Sequence, residues 1–161
     1  MRSGAATARI ALGNGAMVEL PPGSSVSLSG SIDLVLGRGG ATKATRLDAR
    51  SGEVAVIVPA SAAKRAVLCA SKDLLVVARA GANVRVRALP RTGGTPNLLV
   101  GVYGGEAHVA SQGAWKVVPT AHMVELRADE HVADPTRPPG SKPAPRATSP
   151  RWRATPRTPT S

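Results

Sequence analysis

The chain has 161 residues, 42% of them hydrophobic but only 2% aromatic, with no Phe, one Tyr and two Trp. So few rings exclude the multi-ring platforms on which single-stranded nucleic acids stack, and they leave Val, Leu, Ala and Ile to build any core. Lys and Arg number 21 against 10 acids, a formal net charge of +11, the balance of a chain that meets polyanions or acidic protein faces or of an Arg- and Ala-rich composition with no charged partner.

The length accommodates one modest domain and a tail. Residues 1–9 carry positive charge but no apolar stretch long enough for a signal peptide. From residue 8 onward, short β-branched runs alternate with Gly, Pro, Ser and Asn. They predict strands at 8–12, 16–20, 25–29, 32–36, 45–49, 53–58, 66–70, 74–78, 83–89, 98–103, 106–110, 115–118 and 122–126. Turns fall at Gly13-Asn14-Gly15, Pro21-Pro22-Gly23, 37–40, Gly81-Ala82-Asn83 and Gly104-Gly105. The run at 83–87 alternates, placing Val84 and Val86 inward and Arg85 and Arg87 outward. The runs at 54–58 and 74–77 are apolar on both sides, as central strands of a stacked arrangement are. The single Cys69 has no disulfide partner and reads as a small buried thiol.

These runs predict an all-β fold over 8–126, a β-solenoid-like body or a sandwich of many short strands, because small aliphatic side chains suit a narrow interior. Ser51-Gly52-Glu53-Val54-Ala55-Val56 echoes Gly104-Gly105-Glu106-Ala107-His108-Val109 at a separation of 53 residues, as two equivalent strand starts would. Residues 127–161 carry seven basic and three acidic side chains, and 135–161 hold eight of the fourteen prolines. That composition predicts a disordered, Pro/Arg-rich tail from 127.

The strand-and-turn series resembles a known family. Ala8-Arg9-Ile10-Ala11-Leu12-Gly13-Asn14-Gly15-Ala16-Met17-Val18-Glu19-Leu20-Pro21-Pro22-Gly23-Ser24 looks like the opening of FecR-type domains. Leu47-Asp48-Ala49-Arg50-Ser51-Gly52-Glu53-Val54 is similar to the family's leucine-to-Gly-Glu-Val element, and Leu99-Val100-Gly101-Val102-Tyr103-Gly104-Gly105-Glu106 to its final Gly-centred strand pair. The segment at 77–84 departs from the pattern, lacking the family's Thr and aromatic residue. The family's helical sigma-binding segment and membrane span have no counterpart in this sequence, in which no run approaches 18 apolar residues. The resemblance therefore implies the sensing or interaction module alone: non-catalytic, solenoid-like, binding a protein partner in the periplasm or cell envelope.

Few constellations carry chemistry. His108, His122 and His131 show no ligand spacing, so neither metal nor cofactor is expected. No Ser lies in a nucleophile elbow, and the Gly-rich turn at 37–40 leads into no helix that would cradle phosphate. Glu106 and His108 share a strand face, as a solvated surface pair would. The chain reads as a non-enzyme. The alternative to the interaction module is a basic polyanion- or nucleic-acid-binding domain, with contacts from Arg85, Arg87 and Arg91 on the body and Arg151, Trp152 and Arg153 in the tail.

Overall fold

Period-two runs and turn glycines give eleven strands among residues 1–35, 40–62 and 64–139, the residues that the computed structural model describes. They are β1 (Ala8–Ala11), β2 (Met17–Leu20), β3 (Ser25–Val35), β4 (Ala41–Ile57), β5 (Arg65–Ser71), β6 (Leu74–Arg79), β7 (Asn83–Leu89), β8 (Asn97–Gly104), β9 (Glu106–Ser111), β10 (Ala114–Pro119) and β11 (His122–Leu126). The two predicted strands at 25–29 and 32–36 are one strand, β3, interrupted by a bulge between Leu28 and Ser31. Those at 45–49 and 53–58 are likewise parts of β4. A glycine inside a strand can mark a bulge or a bend as readily as a turn.

All the pairing is antiparallel except β4 with β5. One continuous path, β10-β9-β6-β5-β4-β7-β8-β11, curls into a nearly closed, barrel-like sheet, with β3 and β1–β2 attached through β4. The sheet has two layers, and β4 runs through both. Layer I has the order β3-β4-β5-β6-β9-β10; layer II has the order β1-β2-β4-β7-β8-β11. A solenoid of stacked coils is not what this pairing describes.

The core lies between the layers. Val67, Cys69, Leu74, Val76 and Val109 of layer I meet Val18, Leu20, Val56, Val86, Val100 and Leu126 of layer II, each at most 2% exposed. No ring enters this cluster, so the scarcity of aromatics is matched by a thin aliphatic interior. Each buried Val or Leu contributes roughly 1.5–3 kcal/mol by leaving water. Val84 and Val86 point inward and Arg85 and Arg87 outward, as the alternation predicts.

Two glycines make two of the layer crossings possible. At Gly52, φ is 74°, and there β4 passes from layer I to layer II. A Cβ there would come within 2.8 Å of the Ser24 Cα, at the corner where β2 leads into β3. At Gly105, φ is 62°, and the chain returns from β8 in layer II to β9 in layer I. A Cβ there would come within 2.7 Å of the Gly81 carbonyl oxygen, at the corner between β6 and β7. The repeated Gly-Glu motif is thus the same device used twice. Each glycine lets one arm of a bent hairpin, β2–β3–β4 or β6–β7–β8–β9, cross tightly against the corner of the other arm.

Composition assigns residues 127–138 to the tail, but the structure packs them onto the body. Val132 is 5% exposed within the core cluster. Thr136 exchanges two backbone hydrogen bonds with Met123 of β11, and Lys116 of β10 reaches Asp134. The Ser111 hydroxyl, fully buried, donates toward the carbonyls of Arg127 and Glu130. This strap lies across the gap between β10 and β11. One apolar side chain among polar neighbours leaves no periodic signal, so composition misses it.

Candidate functional site

The outward side chains of β4, β7, β8 and β11 form one face of layer II. Register aligns Arg85 with Gly101 and Met123, and Arg87 with Leu99 and Glu125. Glu53 of β4 stands opposite Arg87. Its carboxylate accepts two hydrogen bonds from Arg87, the shorter 2.9 Å, and lies 3.6 Å from Arg85. One carboxylate thus answers two guanidinium groups that are 53% and 58% exposed, which leaves this three-residue group with one excess positive charge, while Glu125 farther along the Arg87 row is held by Arg127.

The Arg85 guanidinium also stands 5.2 Å from the centroid of the Tyr103 ring, within the range of a cation–π contact. That ring lies back over Gly101, where a Cβ would stand 3.4 Å from it. Tyr103 is 63% exposed. Hollows open on either side of it. One, of about 250 Å³, is lined by Tyr103, His122, Met123 and Pro138; the other, of about 210 Å³, by Glu53, Arg85, Arg87 and Leu99, with Gly101, Tyr103 and Met123 common to both.

Arg91 does not join this group: its guanidinium binds Asp129 at 2.9 Å at the start of the strap. Arg151, Trp152 and Arg153 lie outside the described residues, as do 37–39 of the Gly-rich turn. Nothing in the sequence marks Tyr103, Gly101 and Met123 as parts of one site. Each is an isolated residue there, and only the strand order β7-β8-β11 brings them beside Arg85.

His108 is not the solvated partner of Glu106 that their shared strand face predicts, because its Nε2 is buried. His108 Nε2 stands 3.4 Å from Glu106 but makes no hydrogen bond. His122 Nδ1 lies 3.0 Å from the Thr120 carbonyl. Burial pushes the Cys69 thiol up to about 12, which removes the thiolate that a nucleophile needs. Among the described residues no cluster of three or more His, Cys, Asp or Glu could hold a metal ion, and no helix is long and apolar enough to cross a membrane. On the outer side of layer I, His108 sits between Val77 and Val117, and Trp115 and Val117 are 43% and 45% exposed.

No protein-family model matches the chain, and no curated protein matches it. Solved structures do, among them two described as a putative anti-sigma factor from Parabacteroides distasonis. Each is 12% identical with a TM-score of 0.60, over 84% and 85% of this chain. Those matches cover 57% and 58% of the other chains, so this chain spans less than two thirds of their length. At this identity the likeness is one of fold.

Proposed function

We propose that the chain is a FecR-like interaction module of the bacterial cell envelope, non-catalytic, binding a protein partner and relaying its state to the rest of a signalling system. The observation that carries this reading is the shared fold with the Parabacteroides protein, taken with the FecR-type resemblance of residues 8–126. The residues that carry the resemblance include Gly52-Glu53 and Gly105-Glu106, which make two of the layer crossings. Residues beyond the strap serve in this reading as a tether.

The polyanion alternative draws less support. Glu53 answers Arg85 and Arg87, and Asp129 answers Arg91, so the three body arginines present less free charge than their number suggests.

The test is photo-cross-linking of the exported chain in living cells, with a photoreactive amino acid placed in turn on the outer face of each layer. The expected outcome is one envelope protein captured from positions on a single face. Capture of nucleic acid alone, or of the same scatter of proteins from both faces, overturns the reading.

A further inference from the structure

We infer that the Tyr103 face of layer II is a docking site for an extended acidic segment of a partner protein, which anchors an apolar side chain beside Tyr103 and places a carboxylate on Arg85. The inference rests on the interaction-module reading and adds the surface and the chemistry of the partner.

Three features of the face point this way. The first hollow is walled by Tyr103, Met123 and Pro138, with room for one proline or aliphatic side chain. Exposed Tyr and Arg are the residue types that carry interface energy, because they offer large contact area with a polar handle. Gly101 contributes no side chain, so the Tyr103 ring lies flat and both of its flanks stay open. The hollows are therefore formed before any ligand arrives, which lowers the ordering cost of binding.

Charge selects the occupant. Arg85 and Arg87 share the single carboxylate of Glu53, so an incoming acid meets a guanidinium charge that is not fully answered. The chain's own residues 140–161 carry Lys142, Arg146, Arg151, Arg153 and Arg157 and no Asp or Glu, so they hold no side-chain carboxylate to offer Arg85. Strand addition at the β11 edge is blocked at Met123, whose backbone N–H and C=O are both taken by Thr136. A partner segment therefore crosses the face and is read through its side chains.

The spacing follows from the sheet. Arg85 on β7 and Met123 on β11 lie two strands apart in one register row, roughly 10 Å at ordinary strand separation. An extended chain spans that in about three residues. The expected motif is an Asp or Glu three residues from a Pro, Leu or Val.

Selection of a displayed library of random nine-residue peptides on the full chain, with counter-selection on Tyr103→Ala, tests this. Enriched peptides are expected to carry that acid-to-apolar spacing. The best of them, labelled for fluorescence anisotropy, should bind at least tenfold more weakly to Tyr103→Ala and to Arg85→Glu. The remote Lys72→Glu should leave affinity within twofold. All three side chains are exposed, and melting temperatures check that the variants fold. No enrichment over the counter-selected variant, enrichment of basic peptides, or binding insensitive to Arg85→Glu overturns the inference. Photo-cross-linking of a protein partner from another face would overturn it while leaving the module reading intact; no partner from any face would overturn the module reading itself.

Discussion

Cys69 packs in the aliphatic interior, 2% exposed, and its chemistry follows from that position alone. No cation stands by it, and burial in apolar surroundings lifts its pKa from 9.0 to about 12. The sign is that of an acid kept neutral by the fold. The thiol opposes unfolding fully below about pH 9, and that contribution is lost as pH rises towards 12, by up to about 1.4 kcal/mol for each unit. Native protein at pH 8 should leave Ellman's reagent unreacted until urea unfolds it. Cys69→Ala lowers stability at neutral pH by opening a small cavity, but the gap to the parent should narrow between pH 9 and 11 in urea titrations. Rapid labelling of the native thiol would contradict the burial. Glu53 shows the same dependence on place: its carboxylate sets how much of the Arg85 and Arg87 charge is free, although sequence separates it from them by more than thirty residues.

At the scale of the element, the corner glycines set the architecture. Gly52 and Gly30 have nearly the same φ, 74° and 76°, and both lie inside long strands. An added Cβ at Gly30 meets nothing within 4 Å, whereas at Gly52 it collides with Ser24. Gly30→Ala therefore costs only the left-handed backbone term, about 1–2 kcal/mol. Gly52→Ala adds a backbone clash and should cost about 3–4 kcal/mol, in the range of strained or overpacked sites. Urea unfolding of both variants checks the ordering; equal losses would mean that the crossing does not depend on close approach at Ser24. This pair also marks how far the fold is legible in sequence. Strand positions were readable because alternation of Val with polar residues has a period of two. Whether a glycine between two runs makes a turn, a bulge or a crossing depends on which strand lies against it, and that is a property of the partner. Arg85 and Arg87 were readable as outward. Tyr103 and Met123 were not readable as their neighbours, because strand order is not written in any local pattern.

The whole molecule is a sheet that nearly closes on itself, and its remaining gap is spanned by the strap. Two truncations separate the contribution of the strap from that of the residues after it: a chain ending at Pro139 and one ending at Leu126, the limit that composition alone suggests. The second loses Val132 from the core, worth about 1.5–3 kcal/mol, and the two backbone bonds between Thr136 and Met123, worth about 1 kcal/mol each. It also leaves the buried Ser111 hydroxyl without its two carbonyl partners, a further cost of about 1–3 kcal/mol. The Lys116–Asp134 pair, largely in solvent, adds little. Neighbouring losses are not additive, yet a deficit of several kcal/mol should lower the melting temperature by about 10 °C or more relative to the chain ending at Pro139. Val132→Ala in the full chain should reproduce only the smaller, apolar part of that loss. Were the two truncated chains to melt together, the strap would be an ornament on a sheet already closed; a wide separation makes it the last strand-like piece of the fold, and puts Pro138 in place beside Tyr103 as a consequence of folding rather than of binding.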